Sequence, residues 1–324
     1  MSKMHRKGTT KFLPNANLTT AMKNAEANVN LSQVIILTDN DIKAIQRELL
    51  KIFDDIVSVC EKEGIRYQLS GGSVLGAIRH GGYIPWDDDI DINMERAEID
   101  RFVSCFTKRF CEKYWIKIPG KTPGYDQNKI RIESKQIRAR GLLELNEPEC
   151  GLWIDVFVIE NTFDNKLLRT VHGIGTMAFR YILSCVKFAR NEHEMELIIK
   201  QGSELQRYTR SRCRLGRVFS VIPLSVWTKL SVKWVTMCKT ENTIYVVIPG
   251  GRHQFFRELY LRSKMCKTRD ILFEKRKVKI TEDYDVYMKI LYGNDYMKIP
   301  PVEQRENHIM LELDRKALMA EESK

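Results

Sequence analysis

Three aspartates carry the most specific chemical signal in the sequence. Asp89 and Asp91 alternate with isoleucines, and Asp155 interrupts the apolar run from Trp153 to Phe157. Residues two apart in a strand share one face, so Asp89 and Asp91 would project together. Adjacent carboxylates repel each other, and such hard oxygen ligands favour Mg²⁺ or Mn²⁺. We predict that these acids ligate the metal and serve catalysis, Asp155 as a further ligand or as a base. The plainer alternatives are an Asp-rich, solvent-facing turn and a hydrogen-bonded core aspartate.

A glycine-rich segment precedes the acids. Gly71, Gly72 and Ser73 stand between a predicted strand and a predicted helix. Consecutive glycines at a helix start let backbone N–H groups converge on one point, which suits a phosphate, and the Ser73 hydroxyl would add a donor. Turns between strands and helices use the same residues routinely, so this segment alone is weak evidence.

Several cations and one aromatic residue are further candidates for the site. Arg79 follows the glycine segment, and Lys129 and Arg131 alternate on one predicted strand face. Each could steady a diphosphate, and each could equally be a solvated surface residue. Trp86 could stack on a nucleobase or cage a quaternary ammonium group, although a packing role is the plainer interpretation.

The elements that position these residues alternate between strands and helices. Apolar residues at helical spacing predict a helix from Ile42 to Cys60 that Gly64 ends. A tight loop is predicted at 70–73 and a helical turn at 74–79. Strands are predicted at 65–69, 89–94, 114–118, 129–133 and 152–158. Residues 166–240 are mostly helical in pattern. We predict an α+β fold with a mixed sheet flanked by helices.

The glycine segment and the acids form one longer pattern. Residues 67–91 read Tyr-Gln-Leu-Ser-Gly-Gly-Ser-Val-Leu-Gly-Ala-Ile-Arg-His-Gly-Gly-Tyr-Ile-Pro-Trp-Asp-Asp-Asp-Ile-Asp. This run resembles the signature of the LicD family, which includes bacterial phosphocholine transferases and, more distantly, the fukutin-type ribitol-phosphate transferases of animals. Residues 292–301 are similar to the family's Tyr-Gly-Asp-Tyr motif with one extra residue. Ser73 replaces the family's usual threonine and keeps the hydroxyl.

The resemblance implies a nucleotidyltransferase-like core and a transfer reaction. Phosphocholine, or a related phospho-alcohol, would pass from a CDP-linked donor to a hydroxyl of a cell-surface glycan, with release of CMP. Asp89 and Asp91 would hold Mg²⁺ against the diphosphate, and Asp155 would share the metal and help to deprotonate the acceptor. Asp87 would be an outer ligand, and Asp88 would cap a turn or face solvent. One alternative is attachment of NMP with release of pyrophosphate, and another is a non-enzymatic, membrane-associated scaffold.

The net charge of +11 is unevenly distributed. Residues 1–30 carry +4, 31–161 carry −4, 162–270 carry +12 and 271–324 carry −1. We therefore divide the chain into a mobile basic tail (1–33), a catalytic core (34–161), a basic helical region facing acceptor or membrane (162–270) and a C-terminal segment that returns to the core (271–324). Five arginines mark the basic region: Arg207, Arg210, Arg212, Arg214 and Arg217.

Apolar residues interleave with these cations, a pattern that favours an anionic membrane surface, which would suit a lipid-linked glycan acceptor. An ordinary solvated helix face is the plainer alternative. No nucleic-acid-binding signature accompanies the arginines, which disfavours nucleic acid as a partner.

The remaining features concern compartment. Eight cysteines are scattered without a C-x-x-C pair, the N-terminus has no apolar signal segment, and no run of 18 uncharged apolar residues occurs. We expect a cytoplasmic protein with reduced thiols and no structural zinc, attached peripherally to the inner face of the membrane if it is attached at all.

Overall fold

The computed structural model describes residues 29–142, 144–145, 147–305 and 307–320. Residues 1–28 of the predicted tail lie outside the described residues. Helices and strands alternate through the first half, and a helical segment separates them from further short strands. This arrangement confirms the predicted α+β class.

The helices are α1 (Asp39–Glu63), α2 (Gly71–His80), α3 (Arg96–Phe110), α4 (Lys166–Arg190), α5 (Glu192–Ile198), α6 (Glu204–Phe219), α7 (Leu224–Val235), α8 (Gln254–Arg257), α9 (Arg262–Met265), α10 (Tyr284–Tyr292) and α11 (Arg315–Met319), with 3-10 turns at Leu31–Gln33 and Val302–Gln304. The strands are β1 (Gln68–Leu69), β2 (Asp91–Glu95), β3 (Tyr114–Lys117), β4 (Ile130–Ser134), β5 (Ala139–Gly141), β6 (Trp153–Asn161), β7 (Tyr245–Val247), β8 (Leu259–Leu261), β9 (Thr268–Phe273), β10 (Arg276–Thr281) and β11 (Met310–Leu313).

A curled mixed sheet forms the centre of the fold. Its strand order is β1-β2-β6-β4-β3, and β7 extends it by pairing with the end of β6 and with β8. Strands β2 and β6 run parallel, whereas the other pairs in this sheet are antiparallel. Separate two-stranded sheets join β9 to β10 and β5 to β11. The strand of Asp91 therefore lies beside the strand of Asp155.

Local sequence signals set the first helices. Thr38 forms a capping box with Asp41 at the start of α1, and Gly64 ends that helix in a left-handed conformation. The predicted loop at 70–73 is wrong in one respect: Ser70 is the N-cap, and α2 already begins at Gly71. Two consecutive glycines have low helix propensity, but the packing of the following apolar residues extends the helix back to Gly71.

The basic region folds as the predicted helices. Helix α4 packs against both α6 and α7, and the latter two meet at a turn with a bend of 93°. Within the part of the chain that the structure describes, no single helix meets the length and hydropathy requirement for crossing a bilayer, although this bent pair meets it jointly.

The two ends of the described chain also pack onto the fold. Val29 is buried and forms an isolated bridge with Ile199, and Ile35 forms one with Met310. Arg315 in the last helix pairs with Asp41 in the first. The C-terminal segment thus packs against the first helix and the residues that precede it.

Candidate active site

The register of the central sheet brings two of the predicted acids together. Asp91 is paired with Asp155 across the parallel strands β2 and β6, and Arg131 on β4 is paired with Asp155 from the other side. Directly paired residues point to the same face of a sheet, so these three side chains share one face. Asp89 lies two residues before β2, in the segment that leads into the strand. Asp91 and Asp155 therefore meet on adjacent strands, whereas the predicted strand at 89–94 begins two residues later than expected and does not include Asp89.

The glycine segment is hydrogen-bonded to the start of the acidic strand. The Ser70 N–H donates to the Asp91 carbonyl at 2.8 Å, and the Ser73 hydroxyl oxygen accepts from the Asp91 N–H at 2.9 Å. Gly71 has a φ of +47°, which disfavours any residue with a Cβ. The Gly71 N–H donates to the hydroxyl of Tyr287 on α10 at 3.1 Å. Ser73 is buried, and its hydroxyl fixes the distance between the glycines and Asp91.

The space beside the glycines is filled by an acid and a tyrosine. A Cβ on Gly72 would lie 2.8 Å from Asp87 Oδ2 and 3.9 Å from the Tyr292 hydroxyl. A Cβ on Gly71 would lie 3.7 Å from Asp91 Oδ2. The carboxylates of Asp87 and Asp91 therefore face the N-terminal turn of α2, where the sequence predicted a phosphate.

The predicted cations Lys129 and Arg131 both bind Asp155. The Arg131 Nε donates to Asp155 Oδ1 at 2.8 Å, the Lys129 ammonium pairs with Oδ2, and Arg131 also binds Glu144 Oε1 at 2.7 Å. Burial alone would raise the pKa of Asp155, but Arg131 and Lys129 together lower this pKa to about 2. Glu144 could not be identified from the sequence, because nothing in its local pattern distinguishes it from a surface glutamate.

Asp91 and Asp87 differ from Asp155, because their pKa values are raised rather than lowered. Burial raises the pKa of Asp91, and its neighbours Asp89 and Asp155 raise it further, so that it lies well above its usual range. Burial and the carboxylate of Asp89 likewise raise the pKa of Asp87 well above its ordinary value. Within the described residues, no Lys, Arg or His lies at ion-pairing distance from Asp87 or Asp91, whereas Asp155 has two cations.

This donor set fits a divalent cation that is shared with a substrate. Across the described ranges, no three His, Cys, Asp or Glu side chains form a ready-made metal site. Mg²⁺ is commonly held by one or two carboxylates together with substrate phosphate oxygens, rather than by a complete cage of protein ligands. Asp89 and Asp91 supply hard oxygens of that kind, and their raised pKa values show that a positive charge would stabilise them.

A histidine that the sequence analysis missed closes one side of the acidic cluster. The His308 N–H and its Nδ1 lie 3.2 and 3.1 Å from Asp88 Oδ1, and its Nε2 lies 3.8 Å from Asp89 Oδ2. Burial lowers the pKa of His308, but Asp88 and Asp89 outweigh it and raise this pKa to about 10. The expectation that Asp88 faces solvent is wrong, because Asp88 is buried beneath this histidine.

Trp86 and Arg79 link the acidic loop to the C-terminal segment. The guanidinium of Arg305 lies 4.2 Å from the Trp86 ring centroid, and that of Arg79 lies 5.8 Å from it. Arg79 also donates to the Tyr296 carbonyl at 3.0 Å and to the Lys298 carbonyl at 3.2 Å. Arg305 could not be identified from the sequence, since only the fold brings two residues 219 positions apart into contact.

Comparisons with known proteins agree with the sequence signature. Residues 64–142 match the family model described as LicD/FKTN/FKRP, nucleotidyltransferase domain. The lipopolysaccharide cholinephosphotransferase LicD of Haemophilus influenzae is 25% identical over 268 residues, which cover 80% of this chain and 92% of that protein. Ribitol 5-phosphate transferase FKRP of Homo sapiens is 56% identical over 44 residues, only 9% of its length. The predicted resemblance to the LicD family is confirmed, and these relatives are transferases.

Proposed function

Because this chain carries a LicD-family nucleotidyltransferase domain, we propose that it transfers phosphocholine, or a related phospho-alcohol, from a CDP-linked donor to a hydroxyl of a cell-surface glycan, with release of CMP. The observation that carries the proposal is the pairing of Asp91 with Asp155 on adjacent strands, beside the glycine turn that starts α2. An acidic pair next to an anion-binding helix start suits a substrate that brings both phosphate and a metal ion.

Asp89 and Asp91 would hold Mg²⁺ or Mn²⁺ directly, and Asp87 would be an outer ligand. When bound, the ion would neutralise the charge of the diphosphate and of the departing CMP. Asp155 could join this set only by releasing Lys129. A pKa of about 2 makes Asp155 a weak proton acceptor at neutral pH, which favours a role in holding Lys129 and Arg131 in place.

The residues of the chain itself would orient the donor. Ser73 fixes the N-terminal turn of α2 against Asp91, and a donor phosphate at Gly71 and Gly72 would have to displace the Asp87 carboxylate that now lies beside them. Lys129 lies between Asp155 and the ring of Phe157, from which its ammonium is 5.1 Å distant. This lysine is thus placed to meet negative charge that develops near the acids.

A groove beside the acidic face could receive the acceptor. Two cavities of ≈ 270 and ≈ 570 Å³ share the 122–124 loop, Arg190 and Leu224 in their walls, and the smaller one reaches Glu144. Since Glu144 binds Arg131, which binds Asp155, the groove ends one side chain away from the acidic pair. The wall of the smaller cavity includes Glu144, Lys187 and Arg190, whose charged groups would bind the hydroxyls of a glycan.

Donor specificity can be tested directly. The protein would be incubated with Mg²⁺ and, separately, with CDP-choline, CDP-ethanolamine, CDP-glycerol or CDP-ribitol, and CMP release would be measured with and without lipid-linked glycan. We expect one donor to release CMP in a metal-dependent manner. Replacement of Asp91 by Asn should reduce the rate by at least about 100-fold, corresponding to loss of about 3 kcal/mol of transition-state stabilisation.

The matched control is Asp100→Asn on α3, because the Asp100 side chain is 87% exposed and pairs only with a surface lysine among the described residues. This variant should retain the wild-type rate. Release of pyrophosphate from a nucleoside triphosphate, without CMP release from any CDP donor, would instead identify a nucleotidyltransferase. Folded protein that neither turns over nor binds any of these nucleotides would indicate a non-enzymatic role.

A further inference from the structure

Helices α6 and α7 expose apolar side chains where they meet. Val218 and Val221 are 68% and 85% exposed, and three neighbours in sequence are also exposed. We call this set the helical tip; its members are Val218, Val221, Ile222, Val226 and Leu230. Single exposed apolar residues are common, but five within 13 positions around one turn form a patch that water solvates poorly.

The helical tip is not needed to hold the turn together. Phe219, Leu224 and Trp227 fill the inner side, where they pack against Leu183 and Val186 of α4. The Trp227 indole N–H donates to the Phe219 carbonyl at 2.9 Å and closes the turn. The fold thus already has an apolar anchor beneath the turn, and the residues of the tip are additional apolar surface on a rigid support.

Positive charge borders this apolar patch. Helices α6 and α7 together contain seven Lys or Arg residues and one acid. Arg212 is buried between Tyr181 and Tyr208, but the other six side chains are exposed: Arg207, Arg210, Arg214, Arg217, Lys229 and Lys233. Arg217 is partly neutralised by Glu192, while the remaining cations raise the potential around the tip.

We propose that the helical tip docks on an anionic lipid bilayer, with its apolar residues inserted among the lipid headgroups and the surrounding cations on the lipid phosphates. The combination of an exposed apolar edge with flanking Arg and Lys matches the chemistry of such a surface. A second copy of the chain fits less well, because facing tips would bring two sets of six cations together. This inference goes beyond the transfer reaction and is independent of the donor.

Vesicle sedimentation tests the proposal with the full chain. We expect the protein to sediment with vesicles of phosphatidylglycerol and phosphatidylcholine, to bind pure phosphatidylcholine at least about tenfold more weakly, and to be released by high salt. The double variant V218S/V221S should bind the anionic vesicles about tenfold more weakly than wild type. The triple variant R207S/R210S/R214S should lose the difference between the two kinds of vesicle.

The matched control is Leu272→Ser on β9, because Leu272 is 61% exposed but lies in the catalytic half of the chain. Its vesicle binding should equal that of wild type, and circular dichroism should show that all variants fold. Equal binding of V218S/V221S and wild type would overturn the proposal. So would salt-resistant binding, or a fall in solution mass of V218S/V221S that identifies the tip as an interface between copies.

Discussion

Removal of Arg131 should destabilise the protein more than any surface substitution. The Arg131 guanidinium is 2% exposed and binds two carboxylates, those of Asp155 and Glu144, each 3% exposed. In Arg131→Met, Asp155 keeps Lys129, but Glu144 loses the only hydrogen-bond donor to its carboxylate within the described residues. Breaking a buried ion pair by removing one partner costs about 3–5 kcal/mol, a large part of the stability of an ordinary domain.

Urea denaturation followed by tryptophan fluorescence and circular dichroism would measure this loss. The second variant is Arg131→Met/Glu144→Gln. It removes the unpaired charge of the Glu144 carboxylate and keeps the shape of that side chain. We expect it to regain about 1–3 kcal/mol relative to Arg131→Met, since a buried neutral amide is less costly than a buried carboxylate. The coupling between the two positions isolates the ion pair from the packing of Arg131 against Trp153.

The control for this series is Lys121→Met. Lys121 pairs with Asp100, but both side chains are largely solvated, at 65% and 87% exposed. The loss there should stay below about 1 kcal/mol. The reasoning is refuted if Arg131→Met loses no more than Lys121→Met, or if Glu144→Gln destabilises the Arg131→Met background further.

Three further outcomes are expected. Gly76→Ala should lower the free energy of unfolding by about 2 kcal/mol or more, because the new Cβ would lie 2.4 Å from the Gly82 carbonyl oxygen. Gly72→Ala displaces only the end of the Asp87 side chain, so it should leave the urea midpoint nearly unchanged but reduce CMP release. Similar urea midpoints for the two variants would contradict this expectation. His308→Gln should cost about 1.5–3 kcal/mol by calorimetry, as buried Asp88 loses a charged partner, and an unchanged melting temperature would exclude that pairing. Hydrogen bonds from Arg315 outweigh burial and lower the pKa of Asp41 from 3.8 to about 2. Asp41→Asn should therefore lower the free energy of unfolding by about 1–2 kcal/mol near pH 7, and this difference from wild type should disappear as the pH falls from about 4 to 2. A difference that does not depend on pH would refute the ion pair.

Local patterns were sufficient to predict the elements that carry the acids. The alternation of apolar and acidic residues after Trp86 and the single acid in the 153–157 run identified β2 and β6, and the alternation of Lys129 and Arg131 identified β4. Each of these signals is a spacing of two, which determines the side chains that share a face of a strand, although Asp89 lies two residues before β2 and Lys129 one residue before β4. What these patterns did not contain was the pairing order, which places Asp155 between Asp91 on one side and Arg131 on the other.

Two of the missed residues lie far in sequence from their partners. His308 contacts Asp88 across 220 positions, and Tyr287 contacts Ser70 across 217. A histidine in a polar segment and a tyrosine on an amphipathic helix have no local feature that distinguishes them from surface and core residues. The Tyr-Gly motif at 292–293 was the one signal that pointed to this part of the chain, and it came from the family resemblance rather than from periodicity.

The acidic and basic segments of the chain lie at different places in the fold. The acids lie on the central sheet, where Asp155 binds Arg131, Arg131 binds Glu144, and Glu144 lines a groove whose wall includes Leu224 at the start of α7. Leu224 is part of the turn that carries the helical tip, so the wall of this groove extends from the acidic face to the basic, apolar surface. An acceptor anchored in a bilayer at the tip would therefore have a polar route towards the acids. Its lipid would meet cations, while the donor diphosphate would be held at the acidic end by a metal ion. The two opposite charges of the chain would then serve two different anions, which the net charge alone does not distinguish.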